Sequence, residues 1–205
     1  LGWSSLCWAA AGEIEAGFSN PDYPLQPLEG EDLIAIWEMT SGWYRPEVNQ
    51  AQMNLLDSHD VPRALHSLKG DVDALKLALL LLFLHPGAPC LYYGTEAGLS
   101  GGPEPACREA FPWDAPWSVD LRPFIQELAG LRKRHPSLRK SGLCWSPEGA
   151  DGLRGEGSNL LLLVNRSRSE WLKPSSGMSG SLEWQSGSVS PAGLVGPQSA
   201  ALLLL

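Results

Sequence analysis

No two of the four cysteines in this 205-residue sequence form a CxxC pair; Cys7, Cys90, Cys107 and Cys144 lie far apart. That spacing argues against zinc-ribbon and thioredoxin-like sites, and we read the four as reduced thiols of a cytoplasmic protein. Basic residues are the scarcer charge, 15 against 23 acidic ones, for a net charge of −8. A general nucleic-acid binder would show a basic face, so no nucleic-acid partner is expected. Long apolar runs are also lacking. The longest, Leu77 to Leu84, falls well short of the roughly 20 residues that cross a bilayer, so no membrane partner is expected. There is no repeat of fixed period. The chain opens at Leu1 without Met, and no basic stretch followed by a signal-like apolar run stands at its start. We read it as a piece of something longer.

Apolar residues make up 43% of the chain and charged residues 19%, enough to build a core. The length suits one domain, or one domain with a small second one. Residues 1–28 are rich in Gly, Pro, Asn and aromatics and read as an irregular loop. Leu33, Ile34, Ile36 and Trp37 give a helical stripe over Glu31 to Trp43, closed by Arg45-Pro46. Gln52 to Leu56 reads as a short buried strand. Asp71 is a candidate N-cap for a helix over Val72 to Leu84 that is apolar nearly all round and should be buried. Ala88 to Tyr93 is a second strand-like run, Gly98 to Trp117 a long Gly/Pro loop, and Val119 to His135 an amphipathic helix. Beyond Pro136 the pattern changes. Leu160 to Val164, Leu182 to Trp184 and Ala200 to Leu205 are spaced like antiparallel strands between Gly and Ser residues. Alternating strands and helices imply parallel strands with crossover helices. The expected fold class is therefore α/β, followed by an all-β module.

The first strand ends in Asp57-Ser58-His59-Asp60, and the second in Tyr92, Tyr93 and Glu96. In parallel α/β folds chemistry collects at the carboxyl ends of strands. Two neighbouring strands would then deliver carboxylate, imidazole and phenol groups to one face. A carboxylate there can stabilise a cationic transition state, an imidazole can hydrogen-bond a hydroxyl, and aromatic rings offer flat apolar faces to sugars. In the blander alternative, Asp57 only caps a loop and His59 is a satisfied buried histidine. A Ser58-His59-Asp60 triad is disfavoured, because adjacent residues rarely point at one another and no G-x-S-x-G elbow is present.

"NLLDSHDVPRAL" (residues 54–65) and "GAPCLYYGTEAGLSGGPEPACREAFPWD" (residues 87–114) together resemble the α-amylase superfamily of glycoside hydrolases. The likeness is to its cyclomaltodextrinase, neopullulanase and maltogenic amylase group, and it covers about residues 45–140. By this resemblance the first segment is strand seven of a (β/α)8 TIM barrel, and the second is strand eight with its loop. Residues 1–140 would be the C-terminal portion of the barrel, and residues 141–205 an antiparallel β-sandwich domain. Asp60 matches the third catalytic carboxylate, the transition-state stabiliser. His59 and Arg108 match residues that touch the sugar at the cleaved bond. Glu104 matches an acidic neighbour that is usually Asp, and Thr95 stands where the family usually has Asp. Arg63 belongs to the motif, with a less defined role, and Trp113 is expected to line the cleft. Gly87, Gly94 and Gly98 are expected to serve backbone geometry.

The resemblance implies an α-glucan or maltooligosaccharide substrate, a retaining mechanism, no organic cofactor and no metal among these residues. Retaining glycosidases place two carboxyl groups roughly 5–5.5 Å apart. In the family both precede strand seven. Neither Glu13, read as an exposed loop or helix residue, nor Asp22, which lacks an arginine two residues upstream, matches their motifs. We expect Leu1 to begin just past strand six, the isolated chain to be inactive, and its strand edges and the Val72–Leu84 helix to lose cover. An α-glucan transglycosylase, or a non-catalytic glucan-binding or interaction module, is the alternative. Many members of the group dimerise through a domain placed before the barrel, which leaves a homodimer of the full-length protein open.

Three further features have plain readings. Trp3, Trp8, Trp37 and Trp43 are read as packing residues rather than sugar platforms. The basic residues at 132–134 and 139–140 read as a solvated face near a helix C-terminus. Asn165-Arg166-Ser167 fits a glycosylation acceptor pattern, which matters only in a secreted protein.

Overall fold

The computed structural model describes residues 2–15 and 25–205; Asp22 lies outside the described residues. The chain opens with helix α1 (Gly2–Ala9), not the irregular loop expected from its composition. Glycine, serine and tryptophan are weak helix formers, so tertiary packing supplies the order. Leu6 and Trp8 are 2% and 0% exposed within the main core. Gly2 is required there, since a Cβ would collide with the Leu55 carbonyl. Helix α2 (Gly30–Gly42) follows, and a separate short helix α3 (Pro46–Ala51) begins at Pro46. Proline suits that place, because the first helical residue needs no N–H partner.

Strands β1 (Met53–Leu55) and β2 (Ala88–Cys90) pair in parallel, with Met53 opposite Ala88 and Leu55 opposite Cys90. The crossover between them carries the short helix α4 (Ala64–Ser67) and helix α5 (Val72–Leu84). Asp71 caps α5 as expected, its Oδ1 accepting from Ala74 N at 2.9 Å. Ten of the thirteen residues of α5 are buried. The expected loss of cover does not occur, because α1 lies along α5 on one side and helix α6 (Leu121–Arg134) on another. Each leucine buried this way contributes about 1.5–3 kcal/mol. Exposed apolar surface lies instead around α3 and β1, at Trp43, Tyr44, Val48 and Met53. Trp8 and Trp37 are packing residues as expected, whereas Trp43 is 64% exposed.

Arg132, on α6, is not part of a solvated face. It is buried and donates to the carbonyls of Phe83, His85 and Gly87. The first two lie in the last turn and cap of α5, where the helix supplies no donor, and Gly87 lies just beyond. Short helix α7 (Ser137–Lys140) leads into an antiparallel sheet. Its strands are β3 (Cys144–Pro147), β4 (Gly152–Glu156), β5 (Leu160–Asn165), β6 (Ser181–Ser186) and β7 (Ser199–Leu204), in the order β3-β4-β5-β7-β6. Strand β5 is buried on both faces. Leu160, Leu162 and Val164 join the core with the helices, while Leu161 and Leu163 pack with Val195, Ala201 and Leu203. The period of two along a strand divides the two cores. Asn165 is no glycosylation acceptor in this fold. It is 1% exposed, and its amide donates to the carbonyls of Glu170, Val195 and Gly196.

Arg166 ties the sheet to the helices. Its Nη1 donates to the carbonyls of Trp8 and Leu28, Nη2 meets Glu29 Oε2 at 2.7 Å, and Nε meets Asp151 Oδ1 at 3.0 Å. Arg168 reaches Asp71 and Glu13, and Gln198 donates to both carboxylate oxygens of Asp71. Glu13 is exposed in irregular backbone, in keeping with the loop reading.

Candidate active site

Parallel pairing puts the segments that follow β1 and β2 on the same side of the molecule. The first carries Asp57, Ser58, His59 and Asp60; the second carries Tyr92, Tyr93 and the long loop to Trp117. Gly94 and Gly98 bound a single 3₁₀ turn, Thr95–Ala97, with φ of +86° and +80°. That left-handed backbone suits glycine and brings the chain back over the strand ends. Thr95 is buried inside this turn, at 4% exposure.

Arg108 joins the two segments. Its Nε donates to the His59 carbonyl at 2.9 Å, its Nη2 lies 3.6 Å from Asp60 Oδ1, and its Nη1 meets Glu104 Oε1 at 2.9 Å. His59 Nε2 lies 3.2 Å from the same Asp60 oxygen. One arginine thus holds two carboxylates and fixes the backbone between His59 and Asp60. The side chains of His59, Asp60 and Glu104 are 64%, 67% and 59% exposed, so polar groups of a ligand can reach them. His59 is therefore not the buried, satisfied histidine of the blander alternative. The Ser58 hydroxyl accepts from Asp60 N at 3.2 Å, which is a local turn and not a triad contact.

Beneath this surface the polar side chains Asp57 and Arg63 are buried. Asp57 is buried, and its Oδ2 accepts from Ala64 N at 2.8 Å, so it caps α4. Burial pushes its carboxyl above the ordinary aspartate range; the Ala64 N–H and the positive charge of Arg63 pull the other way. Arg63 is fully buried, its guanidinium 4.6 and 4.7 Å from the ring centres of Tyr92 and Tyr93. Its Nη1 donates to the Tyr93 carbonyl at 2.7 Å. Arg63 thus supports the exposed groups from below and does not reach them at the surface. Trp113 is 77% exposed; its ring centre lies 4.5 Å from that of Phe111 with the planes tilted by 49°, and Trp117 meets Phe111 edge to face at 5.0 Å. With Tyr93, Glu96 and Arg122 these rings line an open groove beside the cluster.

The sequence reading missed Cys107. This buried thiol donates to the His59 carbonyl at 3.4 Å, the same oxygen that Arg108 binds. Adjacency to Arg108 was the available signal. The paired carboxylates, His59 and Arg108 can orient hydroxyls and oppose positive charge on a bound ring, and the aromatic groove can stack on its apolar faces.

Known proteins share the sequence pattern and the fold of this chain. The model of the alpha-amylase catalytic domain matches residues 18–152. A cyclomaltodextrinase from Geobacillus thermopakistaniensis is 40% identical over 103 residues, covering 50% of this chain and 18% of that protein. A maltogenic alpha-amylase from Bacillus acidopullulyticus is 34% identical over 149 residues, 67% of this chain and 25% of its own length. Among solved structures, Ttha1563 from Thermus thermophilus superposes with a TM-score of 0.79 at 32% identity, over 98% of this chain and 47% of that one. The cyclic α-maltosyl-(1→6)-maltose hydrolase of Arthrobacter globiformis gives 0.75 at 26% identity, over 98% and 43%. The chain thus spans a quarter or less of these curated relatives and under half of these solved ones. The fold is the C-terminal part of the barrel of these enzymes with the β module that follows it.

Proposed function

Because the chain belongs to the α-amylase family, we propose that it is the C-terminal part of a retaining hydrolase of α-glucosidic bonds. Its substrates are cyclodextrins and maltooligosaccharides, and it works in the cytoplasm. The observation that carries the site is the double hold of Arg108 on the His59 carbonyl and the Asp60 carboxylate. That hold orients Asp60 at the strand-end face where a sugar ring would bind. Asp60 then opposes the positive charge that grows on the ring as the glycosidic bond breaks. His59 donates to a hydroxyl of the same ring, with Arg108 and Glu104 beside it. Trp113 stacks on a neighbouring sugar, and Arg63 acts from below. In this reading residues 1–140 are the barrel portion and 141–205 the β domain. The switch from helix to antiparallel strands between Lys140 and Cys144 supports that boundary. The cytoplasmic assignment draws on a Bacillus subtilis relative, 37% identical over 97 residues, whose name is intracellular maltogenic amylase.

The nucleophile and the acid/base carboxyl come from segments that this sequence does not contain. The 205-residue chain alone is therefore inactive. The test is a pair of assays on maltoheptaose. A protein carrying the upstream barrel strands is expected to hydrolyse it with retention at the anomeric carbon, followed by NMR. The purified chain is expected to leave it intact. Inverted product, or hydrolysis by the short chain, would overturn the proposal.

A further inference from the structure

A second pocket lies at the opposite ends of the same strands. Asn49 and Gln50 of its wall precede β1, and His85 and Pro86 precede β2, whereas the Asp60 cluster follows β1. Its volume is about 430 Å³, within the range of small-molecule sites. Aromatic rings from different elements form its walls. Trp37 of α2 meets Trp145 of β3 with ring centroids 5.2 Å apart and His85 at 4.1 Å, edge to face. Tyr44, 52% exposed, completes them at the mouth. The indole N–H of Trp37 is taken by Ser4 Oγ at 3.1 Å, so its ring serves the pocket as an apolar surface.

The rim is polar without net charge. Glu38 and Lys140 carry opposite signs, and Ser41, Asn49, Gln50 and Ser141 are neutral. Two of the amides are held in place: Asn49 donates to the Ser41 carbonyl at 2.8 Å and Gln50 to the Lys140 carbonyl at 3.0 Å. Burial keeps the His85 ring uncharged, its pKa lowered to about 3. An ion gains nothing from such a lining. A wholly apolar ring would leave the rim groups to water. A neutral ring with two apolar faces and hydroxyls around its edge suits both walls and rim.

We propose that this pocket is a second carbohydrate site, which takes a terminal glucosyl or maltosyl unit of an α-glucan, remote from the Asp60 cluster. The proposal rests on the α-glucan reading of the family. It adds that the chain holds the polymer at a place where no bond is cleaved, so that affinity for long glucans exceeds what the cleft supplies.

The test is titration of the purified 205-residue chain with maltose and maltotriose. The readout is the indole N–H resonances of its nine tryptophans. Saturable shifts in the millimolar range are expected, weakened about tenfold or more in Trp145→Ala and in Tyr44→Ala. Tyr44 is a mouth residue, so that variant keeps its fold by circular dichroism and remains informative where Trp145→Ala does not fold. Trp113→Ala, which removes the exposed platform beside the Asp60 cluster, is expected to retain the shifts of the remaining indoles. Shifts that survive Tyr44→Ala and vanish in Trp113→Ala would place the sugar at the strand-end cluster only. That result overturns the second site and leaves the proposed function standing. No saturable shift up to about 50 mM, or saturation by indole but by neither sugar, would equally overturn the second site. The proposed function is judged separately, by hydrolysis in the longer protein.

Discussion

Arg63 donates from Nη1 to the carbonyl of Tyr93 at 2.7 Å while its guanidinium lies 4.7 Å from the centre of that residue's own ring. The Tyr92 ring lies 4.6 Å away, and the two rings meet edge to face. The Arg63 N–H donates to the Gly101 carbonyl at 2.9 Å, so both main chain and side chain bind the second loop. Guanidinium Nε and Nη2 have no hydrogen-bond partner among the described residues. Ring faces offset part of that cost, since a desolvated cation–π contact contributes about 2 kcal/mol.

Replacing Arg63 with Met keeps much of the volume but leaves the Tyr93 carbonyl without its donor and removes the stack. The expected loss of stability is about 2 kcal/mol. Arg63→Lys should lose more than half of that, because an ammonium cannot serve two rings and a carbonyl at once. Urea unfolding checks both variants. Midpoints equal to wild type at unchanged slope would show that the stack contributes nothing.

Helix α5 was legible because its signals agreed: Asp71 to cap it, an unbroken apolar run, and His85-Pro86-Gly87 to stop it. The two strand ends were legible because their polar groups interrupt apolar runs abruptly. Helix α1 was not legible, since "GWSSLCWA" is a poor helix sequence that packs against α5, α2 and β1. Strands β3 and β4 were hidden by Pro147 and by Gly152 and Gly155, which depress the local strand signal. Arg132 read as part of a solvated face, and Arg166 only as the middle of a glycosylation pattern. Their partners include backbone carbonyls from distant segments, 45 to 158 residues away, and no local pattern announces such partners. The site followed the same division. Its exposed groups stood in motifs, while the Cys107 thiol that supports His59 was marked only by its adjacency to Arg108.

Asp60→Asn in a protein that carries the upstream strands should lower kcat about 100-fold or more, the usual loss when one stabilising charge leaves a transition state. KM should change only a few-fold, because Asn keeps the shape and one hydrogen-bonding oxygen. Steady-state kinetics on maltoheptaose separate the two. A raised KM with unchanged kcat would assign Asp60 to ground-state binding and remove it from the chemistry.

Arg166→Met should cost about 3 kcal/mol. The side chain is 4% exposed, and its loss leaves the Trp8 and Leu28 carbonyls and the Asp151 and Glu29 carboxylates without their shared partner. The damage falls on the contact between sheet and helices. Calorimetry should therefore show one transition in wild type and a lower, broader or divided one in the variant. A single transition at the wild-type temperature would show that Arg166 does not couple the two.

Stability should fall with acidification before the carboxylates titrate. His85 is buried, 4.1 Å from Trp37, and its main chain is held by Arg132. Burial first, and then positive charge including that of Arg132, lower its pKa from 6.5 to about 3. The unfolded chain protonates this histidine below about pH 6.5, and the folded chain does not until about pH 3. Between those values the unfolded state binds more protons, so folding free energy falls as pH falls, by at most about 1.4 kcal/mol per unit from this group. Above pH 6.5 the group contributes no slope. Glu183, whose pKa is lowered by its hydrogen bond from His135 and by Arg134, acts in the same direction but only in the carboxylate range. His85→Phe preserves a ring beside Trp37 and should flatten the dependence between about pH 5 and 6.5. Urea unfolding of both proteins across that interval decides it: equal slopes would mean that His85 is not the titrating group.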